Sequence, residues 1–347
     1  MADPYFRPRR IAFAGSSRKL RPYEDQFCRT LGRVLARETQ DILVTAGFKQ
    51  APNDRGFASD WHFVEGAKDE LGSPQEIDAR IITRRHEKDT TTENGKAKVG
   101  RFSEGKVINT AQPLNELRRF EMAHEADAVI ATHGSEGGGT AQIAHFAIAT
   151  RTPLLPIPCY GGGVGVLWSK YRDVFADALG LDSATQARWE TRPTSDAAAC
   201  HLAEEMALHF HATLSRACFV IMPFADAMRP LYHDVIAPAV EGMGDRLRRL
   251  DVLGLAGDVL AQIKEGIRTA DYCVAVLDDL KPNILYEIGM AHALDKPVIL
   301  MNTRGRIGEQ TPFDIGHHQR IEFEPGDKQL AQRLQDAIVE VRRDAFL

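Results

Sequence analysis

The sequence predicts an α/β protein made of two parallel-sheet domains in tandem. Three observations lead there. Short apolar runs alternate with helical patterns along the chain. The runs are apolar throughout rather than every second residue, as strands covered on both faces must be. The alternation stops near residue 180 and restarts near residue 216.

Ile11-Ala12-Phe13-Ala14 reads as the first strand, broken by Gly15-Ser16-Ser17. A helix follows with Phe27, Leu31, Val34 and Leu35 on one face, the spacing of a 3.6-residue period. Ile42–Thr45 is a second strand, stopped by Gly47, and a helical stretch runs from about Trp61 to Leu71. Strands are expected at 81–83 and 128–131, a helix after Gly137-Gly138-Gly139-Thr140, and a strand at 153–156. Residues 84–105 are polar and basic at both ends, and are expected to form a long mobile loop. Residues 181–215 read as a linker with a possible helix. Beyond it, strands are expected at 218–222, 273–277 and 297–301. Helices are expected through Leu231–Ile236, Leu260–Ile267 and 284–294. Both units therefore read as Rossmann-like or flavodoxin-like sheets, over 1–180 and 216–347.

Composition narrows the function classes. The 347 residues are 44% apolar and 26% charged, with a net charge of -5, which suits a globular protein and not a general nucleic-acid binder. Five scattered cysteines form no CxxC pair, and no HExxH or comparable cluster points to a metal. No apolar run approaches the ~18 residues that span a bilayer, and the first residues lack a signal-peptide core. A cytoplasmic protein with no membrane or nucleic-acid partner is expected.

In the second unit three strand ends carry informative residues: Pro223-Phe224, Asp278-Asp279 and Pro282-Asn283. Asn283 suits a helix N-cap. Glu287 then falls at the end of the first turn, where the helix dipole favours its ionised form. Such a carboxylate can stabilise a cation developing at ribose C1′. A nicotinamide leaving group, already cationic, needs no acid. A neutral base benefits from a protonated partner, for which Asp258 or Asp278 can serve.

The stretch FVIMPF and then GDVLAQIKEGIRTADYCVAVLDDLKPNILYEIGMAHALDKPVIL resembles the TIR-like and nucleoside 2-deoxyribosyltransferase-like superfamily over about a third of the chain. That resemblance implies that Glu287 is the essential glutamate, that Asp278 and Asn283 line the substrate pocket, that Phe224 contacts base or ribose, and that Asp258 lies in the ribose-side loop. It also implies NAD as substrate rather than cofactor.

In the first unit Gly15-Ser16-Ser17-Arg18 lies at a strand-to-helix turn whose backbone N–H groups can hold an anion. Gly47 ends the next strand, and Gly138-Gly139-Thr140 opens another helix with the same geometry. Three glycine turns at strand ends point to one nucleotide crevice, with Lys19, Arg84 and Arg85 able to meet phosphates. The arrangement resembles the SLOG superfamily, named for the Smf/DprA and LOG proteins. There a GGxGT motif is followed by a catalytic glutamate, whereas Gln142 stands near that place here, which argues for ligand binding without hydrolysis. The two resemblances together imply a signal-regulated NAD glycohydrolase of bacterial antiphage defence. It would be activated by a nucleotide messenger such as a cyclic ADP-ribose isomer or cyclic oligonucleotide, and would self-associate. The alternatives are a deoxyribosyltransferase or N-glycosidase of nucleotide metabolism, and a non-catalytic nucleotide-binding scaffold.

Overall fold

A computed structural model describes residues 8–17, 19–50, 56–86, 92–93, 96–97, 100–110, 114–223, 225–249, 259–278, 281–305 and 320–344. The chain divides into two compact units, Pro8–Leu214 and the residues from 215 onward.

The first unit starts β1(Arg10–Ala14), α1(Glu24–Glu38), β2(Ile42–Thr45), β3(Phe48–Gln50), α2(Ser59–Glu70), α3(Pro74–Arg80), β4(Ile81–His86). The short pieces β5(Thr92–Glu93), β6(Lys96–Ala97) and β7(Gly100–Arg101) precede β8(Lys106–Thr110). Then come α4(Asn115–His124), β9(Ala128–Thr132), α5(Gly139–Ala149), β10(Leu154–Ile157), α6(Gly162–Lys170), α7(Arg172–Ala178), α8(Ser183–Glu190) and α9(Asp196–Leu214). Six of these strands form one sheet in the order β10-β9-β1-β2-β4-β8, with every pairing parallel. Ile11, Ala12, Phe13 and Ala14 are consecutively buried because helices cover both faces.

Two expectations are corrected here. The polar stretch 84–105 is not simply a loop: Arg84 and Arg85 belong to β4, and β8 extends the sheet from it in register Ile82↔Lys106. Strand β8 is largely exposed, being an edge strand, so it lacks the apolar pattern that marks buried strands. Residues 181–214 are not a linker. Trp189, Leu202, Ala203, Met206 and Phe210 are buried in the same core as Phe27 and Leu31, and α9 packs along α1. Arg9 and Asp41 form a buried pair (Nε–Oδ1 3.0 Å), and His211 of α9 bonds the same guanidinium.

The second unit contains β11(Ala217–Ile221), a helical run of α10(Arg229–Leu231), a π-type turn Tyr232–Ile236 and α11(Ala237–Glu241), then β12(Arg246–Arg248), α12(Val259–Thr269), β13(Tyr272–Val276), α13(Pro282–Ala293), β14(Val298–Thr303), β15(Arg320–Phe323) and α14(Leu330–Asp344). Its parallel sheet runs β12-β11-β13-β14-β15. Cys218, Val220 and Met222 point into one apolar cluster and Phe219 and Ile221 into another. That two-residue alternation between two buried faces explains why the strand reads as a continuous apolar run. Both units are thus Rossmann-like or flavodoxin-like. Among the described residues no helix is long and apolar enough to cross a membrane.

Candidate functional site

In each sheet the chain leaves one strand in opposite directions. From β1 it goes to β2 on one side and later to β9 on the other; from β11 it goes to β12 and then β13. Loops diverge at such a switch point and leave a crevice outside the carboxyl ends of the strands.

In the first unit that crevice is a cleft of about 1130 Å³. The turn after β1 contributes Gly15, Ser16 and Ser17, and the β9–α5 turn contributes His133, Gly134, Ser135, Glu136, Gly139 and Thr140. Among the described residues seven cationic side chains line it: Lys19, Arg21, Arg84, Arg85, Arg101, Arg118 and Arg119. The carboxylates among the described lining residues are Asp60 and Glu136. An excess of cations on a walled surface concentrates anions, and guanidinium forks suit phosphate oxygens.

The local bonds show how the turns are used. A Cβ at Gly15 would lie 2.3 Å from Ser59 Cβ, so only glycine lets α2 approach β1 this closely. The Ser16 N–H donates to Ser59 Oγ (3.1 Å). The Gly138 N–H donates to the Ser135 carbonyl (2.9 Å), and Gly138 is the residue before α5. Thr140 Oγ1 donates to the Gly15 carbonyl (2.7 Å). Gly139 and Thr140 open α5, where first-turn N–H groups have no intrahelical acceptor. Gly47, with φ 72°, turns the chain out of β2 and is not one of the lining residues. Arg18 lies outside the described residues. Gly15, Ser16, Ser17, Gly139 and Thr140 are therefore brought together, while Gly47 and Gly138 serve the turns behind them. Several of the expected backbone donors are used internally, so most of the positive charge is supplied by side chains.

Those side chains are partly held. Gln142 Oε1 accepts from Arg119 Nη1 (2.6 Å), and burial lowers the pKa of that guanidinium. The residue standing where the acid was sought thus anchors a cleft cation. Arg84 pairs with Glu125, Arg118 bonds Asn115, and Arg101 donates to the Ala46 carbonyl (2.6 Å). Arg85 bonds Ser103, and its buried Nε meets no acceptor.

Three polar residues escape sequence reasoning. Glu24 is fully buried; its Oε2 accepts from the Arg21 N–H (2.8 Å) and lies 3.0 Å from His133 Nδ1. His133 adopts a left-handed backbone, φ 54°, unusual outside glycine. Asp60 is 1% exposed, and burial pushes its carboxyl up to about 6 against the opposing effects of the Thr45 hydroxyl, the Phe48 N–H, Arg101 and Gly15. A buried acid two residues into a helix has no sequence signature separating it from an ordinary first-turn aspartate. Only the burial identifies it.

In the second unit the carboxyl edge at β11 and β13 carries Pro223 and Asp278. Asp278 accepts from the Thr303 N–H (2.6 Å) and the Thr303 hydroxyl (2.5 Å), so both oxygens brace β14. Phe224 and Asp258 lie outside the described residues. Asn283 is exposed and is not the N-cap: α13 begins at Pro282, with Lys281 before it and no side-chain cap. The proline moves the start forward, since its missing N–H and fixed φ suit the first helical position. Glu287 consequently lies in the second turn, where the dipole is weak. Ile284, Ile288 and Ala291 of the same helix are buried. At three or four residues from two of them, Glu287 flanks the face that packs on the sheet. It is partly buried, and burial pushes its carboxyl up to about 7. The expectation of a dipole-favoured carboxylate gives way to one whose ionised form desolvation penalises.

No family model matches the chain, and no curated protein matches it significantly. Solved structures do resemble it. The molybdenum cofactor binding protein of the phototrophic bacterium Rippkaea orientalis is 17% identical over 58% of this chain and 98% of its own, with a TM-score of 0.33. DNA processing protein A of Helicobacter pylori is 20% identical over 47% of this chain and 73% of its own, TM-score 0.31. The molybdenum cofactor carrier protein of Chlamydomonas reinhardtii is 15% identical over 58% and 99%, TM-score 0.30. Likenesses this distant assign no family and no activity.

Proposed function

We propose that the chain is a signal-regulated NAD glycohydrolase, in which a SLOG-like first unit binds a phosphorylated nucleotide and a TIR-like second unit cleaves the nicotinamide N-ribosyl bond, in the setting of antiphage defence. The observation that supports this best is the cleft itself: seven cationic side chains converge on the carboxyl edge of the first sheet, as a multiply charged phosphate ester requires.

The chemistry rests on Glu287. With its carboxyl pushed up to about 7, a large fraction is ionised at neutral pH. The ionised group would stabilise positive charge developing at ribose C1′ as the C1′–N bond breaks. The bonding pair leaves with nicotinamide, which becomes neutral. Water then adds to C1′ and releases a proton, leaving ADP-ribose. The messenger acts by binding the active, self-associated arrangement more tightly than the inactive one.

The same raised pKa favours a second reading. A carboxyl still protonated in part at neutral pH can also protonate a neutral base as it leaves, as deoxyribosyl transfer or nucleoside N-glycoside cleavage requires.

The test follows nicotinamide release from NAD by the full chain and by Glu287→Gln, alone and with cyclic ADP-ribose isomers and cyclic oligonucleotides. Release that needs both a messenger and Glu287 is the expected result. A folded protein that binds a messenger yet consumes no NAD would reject the glycohydrolase. Base exchange between deoxynucleosides would then support the transferase, and no turnover of either would leave a nucleotide-binding scaffold.

A further inference from the structure

Asp60 is out of place in a cleft suited to anions. Its Oδ2 accepts from Thr45 Oγ1 (2.7 Å) and the Phe48 N–H (3.4 Å), while the buried Oδ1 has no donor within hydrogen-bonding geometry, the Gly15 N–H acting on the carboxyl only as a weaker influence. A buried acceptor without a donor loses its hydration and gains nothing in return, so native proteins hold few of them. Asp60 is among the residues that line the cleft, where a ligand can supply the missing donor.

The position of Asp60 limits what that donor is. Ser59, its neighbour, packs against Gly15 and takes the Ser16 N–H, so Asp60 adjoins the turn best suited to a phosphate. Thr45, which bonds it, is the last residue of β2. An ionised carboxylate repels a phosphate oxygen, so Oδ1 must meet the uncharged group attached next to the phosphate. In a nucleotide that group is the sugar.

We propose that Asp60 selects ribonucleotides in this cleft, its free Oδ1 accepting a hydrogen bond from a ribose hydroxyl. The inference rests on the reading of the cleft as a nucleotide phosphate site and narrows its ligand class. Simple polyphosphates and sugar-deoxygenated nucleotides would keep the contacts to the cations and lose this one. The carboxylate then acts as a specificity residue, and the cations supply the bulk of the affinity.

The test is calorimetric titration of the full chain at pH 8 in EDTA with ATP, 2′,3′-dideoxy-ATP and inorganic tripolyphosphate as probes. A hydrogen bond to a charged acceptor predicts that ATP binds about tenfold or more tightly than the dideoxy nucleotide. In Asp60→Asn, whose amide can still accept from Thr45, that ratio is expected to fall to within about threefold while tripolyphosphate affinity does not fall. Equal binding of ATP and dideoxy-ATP by the unaltered protein overturns the proposal, whatever the variant does. So does a preference that appears only when Mg²⁺ replaces EDTA, because Asp60 would then be holding a cation. Failure of all three probes to bind would overturn the anion-cleft reading instead, so the two failures are distinct.

Discussion

Thr140 and Gly15 are joined across the mouth of the first cleft: the threonine hydroxyl donates to the glycine carbonyl at 2.7 Å. One bond thereby fixes the first turn of α5 against the turn after β1. Thr140→Val keeps the shape and leaves a buried carbonyl unpaired, which should cost about 1–3 kcal/mol. Thr140→Ser should recover most of that. Urea unfolding followed by tryptophan fluorescence reads this, since Trp61, Trp168 and Trp189 all lie in the first unit. A valine variant as stable as the parent would mean the tie is not structural.

Helices α1 and α2 touch backbone to backbone. A Cβ at Gly66 would lie 1.8 Å from the Arg29 carbonyl oxygen. Gly66→Ala should therefore force the helices apart and destabilise the unit by about 2 kcal/mol or more. Gly72→Ala, whose nearest atom would be a flexible Glu76 oxygen at 3.8 Å, is the control and should change stability little. Thermal melting of the two variants separates them.

The first unit ends at Leu214 rather than near 180. A fragment covering 8–214 should unfold cooperatively. One covering 8–180 lacks Trp189, Leu202, Met206 and Phe210, each buried in the shared core and worth about 1.5–3 kcal/mol when covered, and should not fold. Near-ultraviolet circular dichroism of both fragments checks this, and a native spectrum from the shorter one would restore the linker.

Glu287 gives a pH dependence of known sign. Its folded-state carboxyl is pushed up to about 7 from an ordinary 4.5, so the folded protein binds the extra proton between those values. Its contribution to stability is full below pH 4.5 and is lost as pH rises through 7. Glu287→Gln should flatten that slope and raise stability at pH 8 by about 1 kcal/mol, discounted for partial exposure. A ¹³C-labelled glutamate titration reads the pKa directly. Under the proposed function, NAD cleavage should rise with pH through about 7, and a rate that falls there would exclude the ionised form as the working one.

Several features were legible early. Phe27, Leu31, Val34 and Leu35 carry a helical period, and all four are buried. The apolar runs at 11–14, 42–45, 128–131 and 218–222 lie in or overlap strands. Strand β8 and helix α8 were not legible, and α9 only as the possible helix of a linker. β8 is an exposed edge strand, and α9, rich in alanine with its large apolar residues spread along it, gives a weak amphipathic signal beside polar segments.

What the sequence determined by itself is the series of elements and the glycine turns between them, because hydrophobic period and turn chemistry act over a few neighbouring residues. Tertiary structure alone decided which turns meet. Arg21, Arg85, Arg101 and Arg119 come from four separate segments to line one cleft, an outcome of strand order and not of spacing. It also raised the pKa of Asp60 and Glu287, because desolvation depends on what packs around a carboxyl and not on its neighbours along the chain.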